Sequence, residues 1–129
     1  MTAGKTKILH IEDHLSLQNL VRIALERLGG YSVCTASDGF QAVELAREFG
    51  PDLILLDLNL PGRDGIETLA ALREVPGLGE VPAVFLTAAV NAEVGARLLA
   101  LGAREVLAKP IRPRELLMAI ERVLAADAN

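Results

Sequence analysis

The spacing of hydrophobic positions changes repeatedly along the chain. Short apolar runs at Lys7–Ile11, Ser32–Ala36, Leu53–Leu58, Ala83–Thr87 and Glu105–Ala108 read as strands, and the segments between them carry apolar residues at helical spacing. The helical stripes are plainest in Leu17, Leu20, Val21, Ala24, Leu25 and Leu28 and in Leu116, Leu117, Ile120, Val123 and Leu124. Each predicts a helix with one buried face. Gly29-Gly30 and Gly102 stand where helices end, Ser37 or Asp38 where one is capped, and Pro113 in a first turn. The run Leu53-Ile54-Leu55-Leu56 is apolar at consecutive positions. Such a strand must be covered on both faces, which calls for a parallel sheet between two helix layers. Right-handed crossovers then predict a doubly wound α/β fold of five parallel strands and five helices.

The 129 residues, 51% of them hydrophobic, suit one domain over 1–129 with a core of about 6–126. Repeats, low-complexity tracts and linkers are not visible, and no attached output domain is expected. The net charge is −4, and the 13 Lys and Arg residues are spread over helix faces. Aromatics make up only 3% of the chain, without Trp, so nucleic-acid binding by this domain is not expected. Cys34 has no internal disulfide partner and is expected to fill space in a buried strand. Met1-Thr2-Ala3-Gly4-Lys5 leads into the first strand without a signal-peptide apolar region, and no stretch has membrane length. A reducing, cytoplasmic setting and no membrane association are the expectation.

In a parallel sheet all strands end on one edge, where ligands bind at the switch point in strand order. At that edge the first strand ends in Glu12-Asp13, the third in Asp57, the fourth in Thr87 and the fifth in Ala108-Lys109-Pro110. Two like charges about 4 Å apart repel by about 4 kcal/mol at an effective dielectric of 20, so three acids on one rim need a cation. Hard oxygen donors with no His or Cys beside them suit Mg²⁺, and zinc is a poor match. A carboxylate can also act as a nucleophile toward phosphorus if metal and Lys neutralise the incoming charge, and Asp57 is the natural acceptor. His10, within the first strand, and His14, after the acidic pair, lack the partner spacing of a helical metal site and read as satisfied core or rim histidines. Arg112 and Arg114 read as a solvated face, and Met118 as filler.

Four segments, Ile11-Glu12-Asp13, Leu55-Leu56-Asp57-Leu58-Asn59-Leu60-Pro61-Gly62, Leu86-Thr87-Ala88 and Lys109-Pro110, resemble the receiver domain of bacterial response regulators across essentially the whole chain. The resemblance implies the flavodoxin-like, CheY-like (βα)5 fold with strand order 2-1-3-4-5. It implies that Asp57 takes a phosphoryl group from a sensor histidine kinase or phosphotransfer protein. Asp13, Asp57 and the backbone carbonyl of Asn59 would hold Mg²⁺, with Mn²⁺ as a substitute, and Glu12 would help through water. Thr87 would bond the phosphoryl oxygens and Lys109 would pair with them, followed by a cis Pro110. A domain of this kind assists its own phosphorylation and dephosphorylation and turns over no separate substrate. The reported signal would be a changed docking surface on the fourth helix, fifth strand and fifth helix, in a monomer or an activation-dependent homodimer.

Two positions depart from the family pattern: Glu12 stands where Asp is more frequent, which merely lengthens one acid by a methylene, and Val106 stands three residues before Lys109, where many receivers carry Tyr or Phe. Transmission by a rotating ring is thereby in doubt, which leaves the loop after Thr87 to carry the signal. Three other readings compete for this sequence. A docking or dimerisation module that never takes phosphate predicts a broken acidic site. A haloacid-dehalogenase-like phosphatase needs Asp-x-Asp, whereas this chain has Asp57-Leu58-Asn59. A flavodoxin-like cofactor carrier needs a glycine-rich phosphate loop where Glu12-Asp13 stand.

Overall fold

The computed structural model describes residues 4–88 and 90–127. The lead-in residues 1–3, Ala89 in the loop after Thr87 and the last two residues lie outside that description. The elements alternate as β1 (Lys7–Ile11), α1 (Leu15–Ile23, continued by a π-helical turn at Ala24–Leu28), β2 (Ser32–Ala36), α2 (Gly39–Phe49), β3 (Leu53–Leu56), α3 (Gly65–Arg73), β4 (Ala83–Thr87), α4 (Ala92–Ala100), β5 (Glu105–Ala108) and α5 (Pro113–Asp127). All five strands are parallel, in the order β2-β1-β3-β4-β5 expected from the sequence.

Alternation along the strands splits the core in two. Leu9, Ile11, Ile54, Leu56 and Phe85 face α2, α3 and α4, where Ala42, Ala46, Leu72 and Leu98 meet them. Ile8, Leu53, Leu55, Val84 and Leu86 face α1 and α5, against Val21, Leu25, Leu116 and Ile120. Cap chemistry sets the helix starts. Asp38 Oδ1 accepts from Gln41 N–H at 2.8 Å, and Asp64 and Glu67 close a reciprocal capping box at α3. The acidic pair Glu12-Asp13 does not cap α1, whose N-cap is His14 without a side-chain cap bond.

The structure departs from the sequence reading at four places. β3 stops at Leu56 instead of Leu58, because Leu58 already accepts from Gly65 N–H at 2.7 Å to close the turn into α3. The stripe on the first helix is only partly buried, with Leu28 63% and Leu20 39% exposed. A π turn advances fewer degrees per residue than an α-turn, so Leu28 rotates out of the stripe begun by Leu17 and Val21. Cys34 is half-buried, because β2 is an edge strand, and that burial still pushes its thiol pKa up. His10 lies in the core but is not satisfied: its Nδ1 is buried and, among the described residues, has no hydrogen-bond partner.

The open edge of β2 is closed by side chains of the first helix. Glu26, in the π turn, accepts from Val33 N–H at 3.2 Å, and Arg22 donates to the Thr35 hydroxyl at 2.8 Å. At the opposite edge, Arg122 pairs with Glu105 and Arg104 with Asp127.

Two expectations follow from this packing. Burial first, then the Lys109 charge, lowers the His10 pKa to about 3; Asp57 opposes the shift and Arg22 adds to it. Between that value and 6.5 the unfolded chain binds a proton that the folded chain refuses, so this group's contribution to stability is lost as pH drops below 6.5. Urea unfolding of the wild type and of His10→Val at pH 7 and pH 5 should show a smaller acid loss in the variant. Gly65 opens α3 with its Cα against the chain at Asp57, and a Cβ there would lie 2.2 Å from the Asp57 carbonyl oxygen and 2.8 Å from Leu58 Cα. Gly65→Ala should therefore destabilise by about 2 kcal/mol in the same assay, although Ala ordinarily favours a helix.

Candidate functional site

The C-terminal strand ends gather the residues singled out in the sequence. Glu12 follows β1 and is 1% exposed, Asp57 follows β3 and is 5% exposed, and Thr87 ends β4 fully buried. Lys109 follows β5, where its N–H donates to the Thr87 carbonyl at 3.0 Å, and the Lys109-Pro110 peptide is cis. Asp57 N–H donates to the Ile11 carbonyl at 3.3 Å, fixing the phosphoacceptor candidate beside the acidic pair.

Lys109 Nζ joins these ends. It donates to Asp57 Oδ2 at 2.6 Å and to Glu12 Oε1 at 2.8 Å. Burial alone would lower the ammonium's pKa, yet the hydrogen bonds and charges of Asp57 and Glu12 outweigh that and hold it above the ordinary lysine value. A raised lysine contributes its share below its unfolded value and loses it only as pH climbs through the raised one, so the bridge is intact at neutral pH. The second Asp57 oxygen, Oδ1, accepts from Asn59 N–H at 3.2 Å.

Glu12 is also engaged from outside. Its Oε2 accepts from His14 N–H at 3.1 Å and lies 2.9 Å from His14 Nδ1, which is 3.3 Å from Asp13 Oδ1. The hydrogen bond to Glu12, then the charges of Asp13 and Glu12, push the exposed His14 upward in pKa. His14 is the rim residue expected, but it corrects the expectation that no His stands beside the oxygen donors. Its place directly after Glu12-Asp13 was the available signal, and the strand-to-helix turn folds the ring back onto both acids.

The donor set suits a hard divalent ion. Two carboxylates, Glu12 and Asp57, share one ammonium, Asp13 adds a third acid at the rim, and ligand atoms of Glu12, Asp13 and His14 lie within 4.8 Å of one another. Asp57 stands apart from that group, held by Lys109. Oxygen donors with an uncompensated negative charge fit Mg²⁺, with the imidazole as an added nitrogen at the rim. Asp57, Asn59 and Lys109 border an open cleft of about 600 Å³ whose other wall includes Leu17, Leu20 and Ile111. Asp13 and Asn59 are exposed at the surface, whereas Val106 is half-buried and packs on the core beside Phe85, its register partner in β4.

Comparison with known proteins agrees with this geometry. The family model of the response regulator receiver domain matches residues 8–121. A probable chemotaxis protein CheY of Rhizobium etli is 35% identical over 124 residues, covering 96% of both chains. The DNA-binding response regulator MtrA of Mycobacterium bovis is 39% identical over 116 residues, 90% of this chain and 49% of MtrA, so the chain spans about half the length of that relative. Among solved structures, the chemotaxis response regulator CheY4 of Vibrio cholerae superposes with a TM-score of 0.86 at 32% identity, covering 93% of this chain and 99% of its own. The receiver domain of the sensor histidine kinase PA1611 of Pseudomonas aeruginosa, described with a magnesium ion in its active-site cleft, gives 0.80 at 36% identity, covering 95% and 99%. The chain belongs to the response regulator receiver domains, the signalling modules of two-component systems.

Proposed function

We propose that Asp57 is the phosphoacceptor of a phosphorelay, taking its phosphoryl group from a sensor histidine kinase or a phosphotransfer protein in the cytoplasm. The observation that carries this reading is the Lys109 bridge: a carboxylate almost fully buried, yet bordering an open cleft, with an ammonium 2.6 Å from one of its oxygens. In the transfer, an Asp57 oxygen forms the new bond to phosphorus as the bond to the donor nitrogen breaks. Lys109 is already placed to meet the negative charge of the arriving phosphoryl oxygens. The buried Thr87 hydroxyl, tied to Lys109 through the backbone, would bond those oxygens.

Asp13, Asp57 and the Asn59 carbonyl would hold Mg²⁺ or Mn²⁺, with Glu12 acting through water. When bound, the ion neutralises the acids and the phosphoryl charge. The carboxylates keep that position ready, and Asn59 N–H orients the Asp57 carboxylate through Oδ1. The chain performs this step on itself and turns over no separate substrate.

The aspartyl phosphate adds nearly two negative charges at the strand ends. Drawing Thr87 and its loop inward would reposition α4, β5 and α5, which we assign as the face for a downstream protein and for any activation-dependent homodimer. At position 106 a valine packs on the core, so the loop after Thr87 would carry the change without a rotating ring. Among the described residues no helix is long and apolar enough to cross a membrane.

Incubation with a small-molecule phosphodonor, read by intact mass, should give a single phosphoryl addition that requires both Mg²⁺ and Asp57 and is lost in Asp57→Asn. Lys109→Ala should slow the addition by about a hundred-fold. No addition despite Mg²⁺ binding would favour the docking-module reading instead.

A further inference from the structure

The loop between β3 and α3 carries Asn59, and its two ends are well tied. Asn59 N–H reaches Asp57 Oδ1, Leu58 accepts from Gly65 N–H, and the Asp64–Glu67 box fixes the start of α3. The tip is held differently. The Arg63 guanidinium lies 4.2 Å from the centroid of the Phe40 ring, which stands in the first turn of α2 and is 56% exposed. A large apolar side chain left half in water contributes little to the core, and the stack on Arg63 accounts for its placement. The approach of α2 depends on the residue before it, since a Cβ at Gly39 would lie 2.2 Å from Thr68 Oγ1 and 3.2 Å from Arg63 Cβ. Thr68 Oγ1 in turn donates to the Arg63 carbonyl at 3.4 Å.

We propose that Phe40 and Arg63 form a latch between α2 and the β3–α3 loop that presets the Asn59 backbone and thereby raises the affinity of the site for Mg²⁺; this rests on the metal reading above. Neither residue touches the metal, so both are positioning residues. A loop already held in its bound shape loses less freedom when the ion arrives, and that saving appears as affinity. An exposed cation–π pair is worth about a three-fold change in a binding constant, which sets the scale of the effect. The latch also makes site quality depend on α2, an element that supplies no acid to the cluster. Phe40 is exposed and Arg63 half-buried, and neither belongs to the two halves of the core, which their removal leaves in place.

The test compares Mg²⁺ dissociation constants, by calorimetric and NMR titration, for wild type, Phe40→Ala, Arg63→Gln, the double variant and Phe40→Tyr. Exchange of the amide hydrogens of Asn59, Leu60, Gly62 and Arg63 is measured on the same samples without metal. Each single variant should bind Mg²⁺ about three-fold more weakly and exchange those amides faster. The double variant should be no worse than either single one, and Phe40→Tyr should keep wild-type affinity because it keeps the ring. Unchanged affinity in both single variants, or a lowered unfolding midpoint with no change in affinity, would overturn the latch. Wild type failing to bind Mg²⁺ would overturn the metal reading and the affinity role with it. That failure is told apart by the exchange rates, which report the latch in the absence of the ion.

Discussion

The placement of one ammonium governs the rest of the site. Glu12 and Asp57 are almost fully buried, and two such carboxylates side by side would be costly without a counter-charge. Lys109 supplies it from the far end of the sequence, bonding Asp57 across 52 residues and Glu12 across 97. The parallel sheet makes this possible, because it delivers the ends of β1, β3 and β5 to one edge. The bond from Lys109 N–H to the Thr87 carbonyl locates the side chain at that edge. Charge balance, strand order and backbone geometry therefore describe a single arrangement. A carboxylate can be nearly dry and yet border an open cleft when a partner of opposite charge bonds it in this way.

The outer half of the site is built on softer terms. Asp13 and His14 stand in solvent, where the pairing of Glu12 with His14 is screened and worth little to stability. The contrast suits a switch. Asp57 and its lysine are held in place, while the charged groups at the rim can rearrange at small cost. Thr87, fully buried, and Val106, half-buried, lie on the two strands farthest from β1, which lead into α4 and α5.

Much of this was legible in the sequence because it depends on periodicity and on residues at strand ends. The consecutive apolar run at Leu53–Leu56 called for a two-faced strand, and Asp57 directly after it had to lie at the sheet edge. What escaped reading depends on local geometry or on distant side-chain pairs. The apolar stripe on the first helix was drawn with an α period, and the π turn at Ala24–Leu28 breaks it before Leu28. Strand β3 ended early because a backbone bond from Gly65 competes with pairing, an event hydropathy does not register. The stacking of Arg63 on Phe40 joins residues 23 positions apart in separate turns, and neither belongs to a motif. His10 read as a satisfied histidine because its strand pattern is apolar, but a sequence does not reveal whether a buried ring nitrogen finds a partner.

The π turn also bears on how the sheet ends. An exposed parallel edge strand offers unpaired amide and carbonyl groups to any other strand that drifts by. The extra residue in the turn carries the helix to where Glu26 reaches across and occupies the outward N–H of Val33, with Arg22 beside it on Thr35. An irregularity that weakens one helix thus works as insulation for the sheet. With the Val33 N–H taken, this edge of the sheet is a poorer template for fibrous growth by strand addition.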